Sequence, residues 1–324
     1  MEIQIPLVIF TSFLAWAAGI FGTQCILALQ KRGGAVQLPA LICSAVVLVV
    51  GGIAVVFHLT HPFNLFNGFG HITSGITIEL IFVIVFAIAV VLYFLMMRRS
   101  EEGVAPKWCA ILAIVVSLAL PFATGDSYLM SAIPVWDTML LPLYYVVATV
   151  MLGGLAAIPL REGIDICKNV LLQTAGIYLI IAGATKAEDA VKLSATVAFI
   201  GAVVCAVVSV IYAVAISGMG ANYTEMQYYF DPTLPDVAMR QSEQITGAIL
   251  AGEHAVAFWL GNVVIGCAVP AVLAALVMCG KVPAEKALAV AVIALVCAVI
   301  GTIVWRVLLY EVAVNALIQF QWAL

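Results

Sequence analysis

The chain has 324 residues, 65% hydrophobic and 9% charged, with a net charge of −4 and a mean hydropathy of +1.20. A soluble globular chain is about half apolar and about a quarter charged, so this composition excludes a water-exposed fold and makes lipid the outer solvent. The charges form short clusters with no basic stripe, which argues against nucleic acid as a partner.

In chain order, the runs of about 20 mostly apolar residues that a membrane crossing needs begin with 5–30. No basic stretch precedes this run and no small-residue cleavage pattern follows it, so it reads as a retained span rather than a removed signal. The second run, 38–59, ends at His58 and Leu59, and a connection at 61–74 rich in Phe, Asn and Gly leads to the third, 75–97, with Glu79 in its first turns. The fourth run is 108–124, and after a Pro- and aromatic-bearing connection at 125–137 the fifth is 139–160. A shorter stretch at 169–185 contains Gln173 and two glycines and is a ninth candidate. The sixth run is 193–217, the seventh, 247–279, carries Glu253 and His254, and the eighth, 287–314, carries Arg306 and Glu311.

Basic residues in short loops stay on the cytoplasmic side. Eight spans put eleven of them on one face: Lys31, Arg32, Arg98, Arg99, Lys107, Arg161, Lys168, Lys186, Lys192, Lys281 and Lys286. Arg240 alone falls on the other face, and a ninth crossing would weaken the division to eight against four. The expectation is therefore an all-α integral membrane protein, a bundle of eight transmembrane helices with a ninth possible at 169–185, both termini non-cytoplasmic. It forms one polytopic domain over 1–324, with 161–192 a cytoplasmic insertion that dips into the membrane or lies along it. The aromatic connection at 218–246 suits an interfacial belt, or a surface for a partner.

The eight cysteines, Cys25, Cys43, Cys109, Cys167, Cys205, Cys267, Cys279 and Cys297, never form C-x-x-C and read as packing residues, so an iron-sulfur cluster would belong to another subunit. No nucleotide loop, nucleophile elbow or zinc signature occurs. Paired histidines on facing helices could hold a haem, but only His58 and His254 lie within spans, since His61 and His71 fall in a connection.

Ionisable groups inside a bilayer cost about 2.5–3.5 kcal/mol on insertion scales and mark function by default. His58, Glu79, Glu253, His254, Arg306 and Glu311 all fall near the non-cytoplasmic ends of their spans, which predicts one polar pocket there. A histidine and a carboxylate within reach of lipid suit a carrier that loses protons as it gives up electrons, because imidazole titrates near neutrality and can accept a hydroxyl proton. The competing accounts are anchors reaching toward water for His58, Glu79 and Glu311, and a structural pairing of Arg306 with Glu311 or Glu253.

Three stretches carry a family likeness: Pro6-Leu-Val-Ile-Phe-Thr at the first span, His58-Leu-Thr-His-Pro62-Phe-Asn-Leu-Phe-Asn67 continuing to Ser74 and Glu79, and Arg306 with Tyr310 in the last span. On these the chain resembles the membrane anchor subunits of dimethyl sulfoxide reductase, the DmsC-like branch among anchors of molybdenum oxidoreductases. The chain departs from the family pattern at Thr60, where the family has Gly, and in a His-to-Glu spacing one residue shorter.

The resemblance implies a haem-free anchor in the cytoplasmic membrane of a prokaryote that oxidises menaquinol in anaerobic respiration. Its implied partners are an iron-sulfur electron-transfer subunit and a molybdopterin catalytic subunit. It also implies quinol binding by His58, Asn67, Glu79 and Arg306, with His58 and Glu79 carrying the chemistry and no metal held by this chain. The alternative from a different class is a secondary transporter built on the buried Glu and Arg.

Overall fold

The computed structural model describes residues 4–31, 34–57, 71, 73–101, 103–175, 184–219 and 242–313. Among these, the helices are α1 (Ile5–Leu29), α2 (Gly34–Val56), α3 (Gly75–Arg99), α4 (Lys107–Asp126), α5 (Leu140–Ala175), α6 (Ala184–Ser217), α7 (Ser242–Ala251), a π segment (Ala257–Ala268), α8 (Val269–Met278) and α9 (Ala284–Glu311). Eight of the crossings they form are long and apolar enough to span a membrane. The chain is thus an all-α membrane bundle. Helix is the form expected here, because in hydrocarbon every backbone N–H and C=O must be satisfied within its own segment.

α1 and α5 occupy the middle. Their most apolar stretches are 61% and 83% buried, against 28% for α2 and 22% for α3, which face lipid. The two central helices touch at Gly19 and Gly153, where a Cβ on Gly153 would stand 2.1 Å from the Gly19 carbonyl oxygen, so only glycine permits this approach. One core lies among α1–α4, around Leu14, Phe21, Phe86 and Tyr93. The other joins α5, α6, α9 and the π segment around Tyr144, Tyr212, Phe258 and Trp305. α1 and α5 are the seam between them.

The fifth and sixth helices are longer than expected. Residues 161–175 continue α5 to 36 residues, about 54 Å at helical rise, and 184–192 open α6, while 176–183 lie outside the described residues. The first part of the ninth candidate run is therefore the end of α5.

The seventh span departs from expectation. Up to residue 256 the apolar run from Gly247 is interrupted only by Glu253 and His254, yet the helix stops at Ala251 and the crossing proper is 257–278. Gly252 permits the break, since a Cβ there would meet the Ala248 Cα at 2.6 Å, and Trp259 Nε1 donates to the Leu250 carbonyl at 3.0 Å, satisfying an end that α7 leaves open. Beyond the break the wide π turn brings Phe258, Asn262, Gly266 and Cys267 to the buried side, with Gly266 against Gly301 of α9. α8 ends in a Schellman motif: Gly280, at φ +66°, donates to Val277 O at 3.0 Å and Lys281 donates to Leu276 O at 3.0 Å.

Candidate functional site

The site lies on the seam, at the end of the bundle opposite the basic loops. α3 enters it beside the turn after α4, because Gly75 packs on Ser127 so closely that a Cβ would be 2.8 Å from the Ser127 carbonyl oxygen. One turn further, Glu79 turns its carboxylate inward. Its Oε1 is shut off from solvent and neighbours the Thr124 hydroxyl of α4, though the two make no hydrogen bond of standard geometry. The carboxylate lies within electrostatic reach of Tyr128, Tyr145 and Tyr310.

Those tyrosines belong to an aromatic cluster drawn from three places in the chain. Tyr128 and Trp136 come from the connection after α4, Tyr145 from α5 and Tyr310 from α9. Trp136 stands edge-on to Tyr310 at 5.4 Å and to Tyr128 at 5.6 Å, with Tyr128 and Tyr145 at 6.3 Å. The connection is pinned at two points: Trp136 Nε1 donates to Leu309 O at 2.9 Å, and Tyr212 OH donates to Val135 O at 2.8 Å. Burial, with the neighbouring Tyr145 next in effect, pushes the Tyr128 phenol well above its ordinary range, so this group stays a neutral hydroxyl.

Arg306 closes the inner side. It is 1% exposed, its guanidinium lies 4.5 Å from the Tyr145 ring centre and 6.0 Å from that of Tyr144, and it donates to Thr11 O at 3.3 Å and Thr302 O at 3.5 Å. Its Nε has no partner. A cation held by ring faces and carbonyls in so dry a place is costly, because no anion among the described residues offsets its lost hydration. Tyr128, Trp136, Leu141, Tyr145, Arg306, Leu309 and Tyr310 line a half-open cavity of about 10 Å³, enough for about one water molecule.

Two of the expected site residues, Glu79 and Arg306, therefore meet around one tyrosine cluster, though not as an ion pair. His58 and Asn67 lie outside the described residues. Glu253 and His254 do not line the cavity: they sit in the turn before the seventh crossing, 3.5 Å apart, with the Glu253 side chain 62% exposed. That corrects their placement within the span, and its cause is the break at Gly252. Glu311 is the last residue of α9, and Arg306 bonds to carbonyls rather than to Glu311 or Glu253.

Thr11, Tyr128, Trp136 and Tyr145 are site residues that hydropathy does not reveal, since single aromatics near span ends read as interfacial belt. The available signals were the Tyr144-Tyr145 pair inside a span and the Trp136-Asp137 step in a short connection. Among the described residues no group of three His, Cys, Asp or Glu side chains could hold a metal. Cys25, Cys109, Cys205 and Cys267 are buried within the helix packing, and the Cys167 side chain lies outside the described residues.

The fold and site define a class: a multi-pass helical membrane protein in which an inward-turned carboxylate and a buried guanidinium share a tyrosine cluster at one end. Within that class, the chain belongs to the DmsC family, the DMSO reductase anchor subunits, which it matches over residues 1–312. Membership implies association with a molybdoenzyme complex. No curated protein matches the chain.

Proposed function

We propose that this anchor subunit binds menaquinol beside Glu79 in the cytoplasmic membrane of a prokaryote and oxidises it during anaerobic respiration. In this reading Glu79 and His58 accept the quinol's hydroxyl protons, Asn67 helps to hold the headgroup, and the electrons pass to an iron-sulfur subunit and on to a molybdopterin catalytic subunit. The basic loops face the cytoplasm and both termini the other side.

The single observation carrying this reading is the inward carboxylate of Glu79, whose Oε1 is shut off from solvent without a hydrogen bond of standard geometry at the edge of an aromatic cluster, in a chain of the anchor family. A carboxylate so placed has its hydrogen-bonding capacity in reserve for a ligand hydroxyl, since a buried acceptor left unmade costs about 1–3 kcal/mol. The quinol ring belongs on the Glu79 side. The free volume at Arg306 takes only a water-sized guest, so Arg306 acts from behind the tyrosines.

The test uses the assembled complex. Glu79→Gln and His58→Ala should abolish electron entry from a soluble menaquinol analogue while leaving reduction from an artificial dye donor intact. Normal quinol-driven turnover in both variants would reject the site.

A further inference from the structure

Arg306 carries a fixed positive charge into a place where no anion among the described residues answers it. Two of its nitrogens donate to the carbonyls of Thr302 and Thr11, which offer only partial charge, and its Nε has no hydrogen-bond partner of standard geometry. Tyr310 follows four residues later, so the two side chains stand on the same face of α9. Both line the one half-open cavity, and the buried Tyr310 hydroxyl likewise has no partner of standard geometry. No carboxylate lines that cavity, and the carbonyl of Leu309, another lining residue, already accepts from Trp136 Nε1.

We propose that this cavity is a halide site, holding one chloride between the Arg306 Nε–H and the Tyr310 O–H. The site stands or falls independently of where a quinol binds. Size, hydrogen-bonding sense and charge each select the ligand. A cavity of about 10 Å³ takes one guest of about the size of a water, which excludes phosphate, sulfate and carboxylates. An arginine N–H can only donate and a phenol O–H is free to, so the guest that satisfies both is an acceptor. A neutral water would leave the buried cation uncompensated, and a buried charge without its partner is strongly destabilising, whereas a monovalent anion balances it. The ion can exchange with solution, since the cavity is half-open and Tyr128 in its wall is only half-buried.

The test uses the full chain in detergent micelles, with chloride replacing gluconate at constant ionic strength. The midpoint of thermal unfolding should rise with chloride. Well above the dissociation constant, each tenfold in chloride should lower the unfolding equilibrium constant about tenfold, as for any ligand that binds only the folded state. Bromide should substitute and sulfate should not. The NMR line of free chloride should broaden in the presence of the protein and sharpen again on adding bromide.

Arg306→Met should abolish the chloride dependence, whichever way its stability moves. Tyr310→Phe keeps the ring against Trp136 and should weaken chloride binding about tenfold or more, the share of one hydrogen bond to a charged partner. If Arg306→Met does not fold, Tyr310→Phe carries the test. A midpoint and linewidth indifferent to chloride would overturn the site and leave the cavity to a water. An equal chloride response in wild type and Tyr310→Phe, or sulfate acting as strongly as chloride, would overturn it too, by making the response a general salt effect.

Discussion

Gly153→Ala adds one methyl group where α5 crosses α1. The new Cβ would stand 2.1 Å from the Gly19 carbonyl oxygen, 2.2 Å from its carbon and 2.6 Å from its Cα. All three are backbone atoms, so no side chain can rotate away, and ordinary contact begins at 3.4 Å. The helices must part by more than about 1 Å, and overpacking of this kind costs about 1–3 kcal/mol. Alanine's better helix propensity returns about 1 kcal/mol at most, so a net loss of up to about 2 kcal/mol is expected.

The damage should reach the site. Tyr145 lies eight residues before Gly153 on α5 and Thr11 eight before Gly19 on α1, so parting the helices stretches the Thr11–Arg306–Tyr145 arrangement. The assay is equilibrium unfolding in mixed micelles followed by tryptophan fluorescence, with Gly52→Ala as the control. Nothing stands within 4 Å of a Cβ at Gly52, so that variant should lose no stability. Equal stability of the two variants would refute the claim that this crossing is set by backbone contact.

Arg306→Met should leave folding unchanged or strengthen it by about 1–4 kcal/mol, because it removes a buried charge with no carboxylate partner among the described residues, while quinol-driven turnover falls and dye-driven turnover persists. A marked loss of stability would show that the cation is paired, and Arg306→Lys should not restore turnover, since ammonium cannot stack on Tyr145 as guanidinium does. Cys279, exposed at the turn after α8, should react with a membrane-impermeant maleimide added from the cytoplasmic side, whereas the buried Cys25, Cys205 and Cys267 should resist. Labelling of Cys279 only from the opposite side would invert the proposed orientation.

The eight crossings were legible in the sequence because lipid tests each segment separately: a run of about 20 apolar residues satisfies its own backbone and needs no neighbour to declare it. Glu79 and Arg306 were legible for the same reason, since a charge in hydrocarbon stands out against its own segment. That these two lie toward the same end of the bundle followed from counting crossings. The break at Gly252 and the π segment were not legible, because hydropathy stays high through residues 247–279 while the cause lies in close backbone approach: of Gly252 to Ala248, and of Gly266 to Gly301 on another helix.

What the sequence alone determined, then, is that this chain lives in lipid and which few of its polar groups lipid would not tolerate idly. Only the tertiary structure decided that Glu79 and Arg306 do not pair but share Tyr128, Tyr145 and Tyr310, and that Thr11 and Trp136 complete their surroundings. The physical reason is that membrane insertion is a property of one segment at a time, whereas a site on a seam depends on how closely α1 and α5 can approach, and that distance is set by two glycines far apart in the chain.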